Sequence, residues 1–262
     1  MDGDENTAIQ RVAVGSSLQQ GSRRALLMLR GRQDVASMQG EASYQKGLRF
    51  YKGGDLCGAA AAFRLAAIAG HAESQYLLST LLDEAQAFAL DADEAARWEL
   101  CAAKQGHAYA QANVSYRSHS REDFTEAFRW CQRAADKGLA WAQYNLALMY
   151  RKGEGTAPCA ARAAELLAQA AEQDFVEAQV KLAELYYFGD GMQQSDALAA
   201  RWYLKAAENG AAEAQYQLGH LYGVGQGVQV DYTRSREWIQ RAARQGHAAA
   251  CSELKRREYR DA

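Results

Sequence analysis

Several residue sets in this chain have types and spacings that could carry chemistry. Gly223, Gly225 and Gly227, in LYGVGQGVQVDY, stand just ahead of a helical stretch, as glycines do in loops that cradle phosphate. His71, His107 and His247 each sit in a Gly-His-Ala triplet, while His119 and His220 are isolated. Five cysteines and the acidic pairs Asp83-Glu84 and Glu122-Asp123 complete the inventory. The spacings then remove most of this chemistry. A dinucleotide loop needs G-x-G-x-x-G between a strand and a helix, and a P-loop needs Lys-Ser/Thr after its last glycine. Here the pattern is G-x-G-x-G, no lysine follows, and the preceding EAQYQLGHLY has helical periodicity. No H-E-x-x-H, G-x-S-x-G or metal-spaced Cys/His cluster occurs in the sequence. The acidic pairs fall at helix ends, where carboxylates cap the backbone or balance the dipole. An enzyme reading therefore has no residue to rest on, and no catalytic residue, metal ligand or cofactor is expected.

The glycines belong to a larger pattern. Gly189 and Gly191 lie 36 residues before Gly225 and Gly227, and Gly153 and Gly155 lie 36 before those. Taking the residue that ends each unit as a landmark gives Gly70, Gly106, Gly138, Asp174, Gly210 and Gly246, at steps of 36, 32, 36, 36 and 36. An Ala-Ala pair begins four residues before every landmark, from Ala66-Ala67 to Ala242-Ala243. Eight residues before it stand Ala62, Trp98, Trp130, Leu166, Trp202 and Trp238. Five residues after it come Gln75, Gln111, Gln143, Gln179, Gln215 and then Cys251. Such agreement at one period marks a tandem array. A histidine recurring at that period is a structural column, hydrogen-bonding near the turn.

Each unit reads as two helices. The first follows the landmark and ends at the glycine loop, where a left-handed residue terminates a helix at no steric cost. The second starts at Asp55, Asp91, Asp123, Cys159, Ser195 or Asp231, of which all but the cysteine are good N-caps. Glu94 and Glu126 complete capping boxes, and Pro158, the sole proline, pre-sets the helix start beside Cys159. The small Ala-Ala column lets neighbouring helices approach closely, with the Trp one turn earlier filling the groove; Trp202 and Trp238 are expected to be largely buried. Units that contact mainly their neighbours form a solenoid with a continuous thin core.

The pattern A-x-x-x-L-G-x-x-Y…G-x-G-V…W-x-x-x-A-A-x-x-G resembles the Sel-one-like repeat (SLR) family, relatives of the tetratricopeptide repeat. Residues 175–212 and 211–248 match it almost column for column, and the resemblance covers about residues 42–262. Units ending at Gly70 and Gly138 lack the four-residue loop insertion, and Lys46 occupies the Leu column. The resemblance implies an all-α fold, a right-handed superhelical solenoid of about six antiparallel helix pairs plus a C-terminal capping helix. It spans residues 41–262, with residues 1–40 as an N-terminal extension. Within that extension SRRALLMLRG (22–31) is expected either disordered or docked as a short helix.

Composition adds bounds. The net charge of −2 gives no general pull toward nucleic acid, and the basic KRREYR at 255–260 reads as a solvated capping helix. Cys57, Cys101, Cys131, Cys159 and Cys251 form no C-x-x-C pair, which suits free thiols in a reducing compartment. The regular cysteine pair that staples some SLR proteins is absent, which also weakens the β-lactam binding or hydrolysis that such relatives imply. The acidic N-terminus has no apolar stretch of signal length, and ALLML (25–29) is too short to span a membrane. A cytoplasmic location is expected, with a monomer favoured over a dimer.

What remains is surface. In tetratricopeptide-like arrays the first helices line the concave face, with inward positions near 3, 6, 7, 10 and 13 residues after each landmark. Those columns hold Tyr76, Tyr109, Asn113, Tyr116, Trp141, Tyr144, Asn145, Leu148, Arg151, Glu184, Tyr187, Tyr216 and His220. The sixth-position tyrosines follow the SLR pattern and suit packing between units. Tyr109, Tyr116, Trp141 and Arg151 do not follow it, and an aromatic–Arg cluster is what recognition hot spots are made of. Alternatively, Trp141 and Tyr109 fill the gap left by the short third unit. The expected function is a non-enzymatic adaptor holding a partner protein or peptide in the groove. The alternatives are an immunity protein that blocks a toxin enzyme and, third, a β-lactam hydrolase.

Overall fold

The computed structural model describes residues 37–84 and 92–261. The expectations for residues 1–36 and for the Asp91 cap lie outside the described residues. Among the described residues there are thirteen helices and no strand. Helix α1 covers residues 37–52. It is followed by α2 (Leu56–Ile68), α3 (Ala72–Glu84), α4 (Ala92–Lys104), α5 (Ala108–Ser120), α6 (Phe124–Asp136), α7 (Ala140–Lys152), α8 (Ala160–Glu172), α9 (Val176–Phe188), α10 (Asp196–Glu208), α11 (Ala212–Val224), α12 (Tyr232–Arg244) and α13 (Ala248–Asp261). The chain divides into two compact units, up to His107 and from Ala108 onward. Within each, consecutive helices pack on one another, giving the expected all-α helical-repeat solenoid.

The cap residues act as their chemistry dictates. Asp55, Asp123, Ser195 and Asp231 each accept the backbone N–H three residues on, at 2.8, 3.0, 3.3 and 2.9 Å. Cys159 makes no side-chain cap bond. The capping box expected at Glu126 does not close. The Asp123 N–H donates to the Ser118 carbonyl, and the Glu126 carboxylate instead accepts the Trp130 indole N–H at 3.2 Å.

Both loop glycines are left-handed, and the second has a further reason to be glycine. Gly153, Gly189 and Gly225 end α7, α9 and α11 in the left-handed conformation, at φ 76, 73 and 76°. Gly155, Gly191 and Gly227 are left-handed too, at φ 71, 75 and 71°, and a Cβ there would also collide with the carbonyl of Phe124, Ala160 or Asp196. Each of these partners opens the second helix of the preceding unit, so the second glycine lets the loop lie flat against that helix start.

Trp202 and Trp238 are partly buried, each packed against a core cluster. Their exposed faces are covered by the cation three residues on, Lys205 at 5.4 Å and Arg241 at 4.4 Å, as Arg133 covers Trp130 at 4.6 Å. The deep position is the residue after the Trp column: Phe63, Glu99, Cys131, Leu167, Tyr203 and Ile239, all at most 4% exposed. A small residue of the first helix stands in the facing column. A Cβ on Gly47 would fall 2.5 Å from Phe63, and one on Gly219 would fall 2.6 Å from Ile239.

The glutamine column is a buried amide ladder. Gln75, Gln179 and Gln215 donate Nε2 to the carbonyls of Ala67, Ala171 and Ala207 at 3.1, 3.2 and 3.1 Å. Their Oε1 atoms accept from Gln105, Asn209 and Gln245, which satisfies both ends of each buried amide. Cys251 continues the column with a thiol on the Ala243 carbonyl at 3.4 Å.

Candidate functional site

On the first helices of the second unit, positions 3, 7, 10 and 14 after the landmark form one helical stripe. It carries Tyr109, Asn113, Tyr116 and Ser120 on α5, and Trp141, Asn145, Leu148 and Lys152 on α7. On α9 the stripe holds Glu177, Lys181, Glu184 and Phe188; on α11 it holds Glu213, Gln217, His220 and Val224. Tyr109 and Tyr116 are exposed, at 56% and 64%. A pocket of about 190 Å³ opens on α5 and α7, lined by Ser115, Tyr116, His119, Trp141, Asn145, Leu148, Met149, Lys152 and Glu154. The structure thus brings Tyr116, Trp141, Asn145 and Leu148 of the expected set to one place. Tyr109 and Asn113 lie on the same stripe outside the pocket lining.

The sixth-position tyrosines pack between units, as the repeat pattern suggested. Tyr144 meets Phe175 at 5.3 Å and Tyr216 meets His247 at 4.7 Å. In the first unit Tyr76 stacks on His107 at 4.4 Å. The thirteenth position is also taken up by the array itself. His119 pairs with Glu154 at 3.0 Å, Arg151 with Asp190 at 3.2 Å, and the Tyr187 hydroxyl with Gln226 at 3.3 Å. Each partner belongs to the loop of the next unit, so Arg151 and Tyr187 act first as staples between repeats.

Sequence reasoning missed His119, Lys152 and Glu154 at the pocket. The available signal was Lys152 one helical turn after Leu148, and Glu154 in the loop column shared with Asp190 and Gln226. Burial alone would raise the Glu154 carboxyl. The hydrogen bond from His119 and the charges of Lys152 and His119 outweigh it and hold the group below its ordinary range.

The histidines form a second set of staples. His71, His107 and His247 meet Glu41, Glu73 and Glu213 of the preceding helix pair at 3.3, 2.9 and 2.9 Å. His220, isolated in sequence, pairs with Glu253 at 3.1 Å. Of the cysteines, Cys131 is the buried one, and burial pushes its thiol up to about 12, against a smaller pull from a hydrogen bond with Ser115. A thiol so disposed is no nucleophile at neutral pH. Among the described residues no group of His, Cys, Asp and Glu is placed to hold a metal ion, and no helix is long and apolar enough to cross a membrane.

A family model described as Sel1 repeat matches residues 72–107, 108–139, 142–175, 176–210 and 212–247. Among solved structures, a protective antigen of uropathogenic Escherichia coli with an SLR fold is 30% identical at a TM-score of 0.76, over 85% of this chain. The alignment covers 50% of that antigen, so the present chain spans half its length. A Sel1 repeat protein from Oxalobacter formigenes is 27% identical at a TM-score of 0.64, over 80% of this chain and 86% of its own. The Pseudomonas aeruginosa pilF shares the fold at 17% identity and a TM-score of 0.58, over 86% of this chain and 99% of its own. Among curated proteins none matches this chain. The chain belongs to the Sel1 repeat family, whose members generally serve as protein–protein interaction scaffolds.

Proposed function

We propose that the protein is a non-enzymatic adaptor that binds a segment of a partner protein along the first-helix face of its second unit. One observation carries this reading. The exposed Tyr116 and the half-buried Trp141 and Leu148 line a pocket of about 190 Å³, with Tyr109 exposed on the same helical stripe. Exposed aromatics grouped at a concavity mark recognition surfaces on repeat proteins and elsewhere. The stapling columns hold successive units in register, so a bound segment meets a preformed face and orders less on binding. The five free cysteines suit a reducing, cytoplasmic setting.

Photo-crosslinking in the native cells tests the reading. A benzophenone side chain replaces Tyr116 in one variant and the exposed Arg236 of α12 in another. Adducts to a defined protein are expected from position 116 and not from 236. Adducts from 236 alone, or from neither, refute it.

A further inference from the structure

The stripe also differs in charge along its length, and this bears on what the adaptor reading leaves open: the chemistry of the segment bound. Helices α5 and α7 carry no carboxylate; their ionisable groups of fixed charge are Arg117, Arg151 and Lys152, with His119 alongside. Helices α9 and α11 carry Glu177, Glu184 and Glu213. The pocket lies on the cationic pair.

Its size and lining define the rest. An apolar cavity of about 150 Å³ admits a benzene ring, so the pocket of about 190 Å³ admits one aromatic side chain. Trp141, Tyr116, Leu148 and Met149 give it apolar walls. Asn145 donates Nδ2 to the Trp141 carbonyl of its own helix at 2.8 Å. That bond fixes the amide and leaves its Oδ1 and second N–H to pair with a peptide backbone. Lys152 is 61% exposed and meets Glu154 at 3.5 Å, which occupies one of its three donors. Arg151 gives one Nη2 to Asp190 and keeps its other donors. Glu154 is the one carboxylate in the lining, and it is already engaged by His119 at 3.0 Å and by Lys152 at 3.5 Å.

Resting on the adaptor reading, we infer that the α5–α7 pocket anchors one aromatic side chain of an extended acidic segment of a partner protein, with Asn145 on its backbone and Lys152 on its carboxylates. Charge selects the acidic segment over a basic one, since a Lys- or Arg-rich chain would meet Lys152 and the remaining donors of Arg151 with no carboxylate on either helix.

The test selects binders from a random peptide library displayed on phage, with the full chain as bait. Two pocket variants accompany it, Lys152→Glu and Tyr116→Ala, both at highly exposed positions, with Lys181→Glu on α9 as a control, and all three are checked for unchanged helical circular dichroism. Enriched sequences are expected to share one Phe, Tyr or Trp flanked by Asp or Glu. The best such peptide should lose roughly tenfold in affinity in each pocket variant, and reselection on Lys152→Glu should turn the flanks basic. Enriched peptides that lack an aromatic, or carry basic flanks on the parent protein, overturn the inference. Peptides that bind both pocket variants normally but fail on Lys181→Glu move the site to α9; the adaptor reading then stands and the acidic anchor pocket falls. Absence of any enrichment counts against both.

Discussion

Helices α5 and α7 present Tyr109, Tyr116, Trp141 and Leu148 at the third and tenth stripe positions, where α9 and α11 present Glu177, Glu184, Glu213 and His220. Both pairs stand on the same kind of core, a small residue of the first helix against a deep residue of the second. The charged region pairs most of its polar groups internally, and leaves Phe188 and Val224 exposed at its last stripe position. Lys181 holds Glu184 at 2.8 Å, Glu213 takes Gln217 and His247 at 2.7 and 2.9 Å, and His220 meets Glu253 at 3.1 Å. The aromatic region leaves the Tyr116 ring largely in water at an open pocket. One scaffold thus carries a surface whose charges are paired among themselves and another whose aromatic residues flank an open pocket. Apolar area gains free energy when covered by any shape-complementary partner, whereas a paired surface charge gains little by exchanging one partner for another.

Breaking the scaffold beneath both regions gives the largest expected effect. Leu167 is fully buried between the α7 and α8 layers, and Leu167→Ala should cost about 2–5 kcal/mol. Trp202→Ala, at a half-buried site, should cost clearly less in the same melting experiment. A reversed order would show that the Trp column, not its neighbour, is the deep one.

Smaller effects separate the two faces. Trp141→Ala should weaken partner binding at least tenfold, about 1.4 kcal/mol, while Glu184→Ala changes it less than twofold, both read by titration calorimetry. Arg151→Glu falls between them, because the pair with Asp190 leaves only part of the guanidinium to a partner. Equal losses in all three variants would erase the distinction between regions. Lys181→Ala removes an i,i+3 pair at a partly exposed site and should lower stability by at most about 1 kcal/mol.

The smallest effect is one the regions share. Glu154 and Glu213 are both held below the ordinary carboxyl value of 4.5, against burial, by hydrogen bonds and by histidine and lysine charges. A depressed carboxyl stabilises the fold above its ordinary value, and that contribution disappears as pH falls through the lower, folded value. Removing the partner lets the carboxyl rise. His119→Ala and His247→Ala should therefore each begin acid unfolding at a higher pH than the parent, followed by circular dichroism. An unchanged acid midpoint would mean the histidines do not hold these carboxylates.

The repeat, its helix pairs and its caps were legible because each rests on one residue type in one column. Gly153, Gly189 and Gly225 announce helix ends, and Asp or Ser announces helix starts. The deep core column was not legible, since Phe63, Glu99, Cys131, Leu167, Tyr203 and Ile239 share no chemistry. Each is matched instead to the size of the residue facing it, as Gly47 and Gly219 show against Phe63 and Ile239. The second glycine of each loop needed the fold too, because its collision is with a helix 31 residues earlier in sequence. At the site, Tyr116, Trp141, Asn145 and Leu148 could be read from helical phase. Arg151 and Tyr187 share that phase, but their partners Asp190 and Gln226 lie 39 residues on, and only the stacking of units brings them together.

The central claim is that the aromatic pair of helices, and not the charged pair, receives the partner. Amide hydrogen exchange on the free protein and on its complex with the crosslinked partner measures this directly. The account predicts slowed exchange across α5 and α7 with α11 unchanged; slowing confined to α9 and α11, or to the second helices α6, α8, α10 and α12, would contradict it.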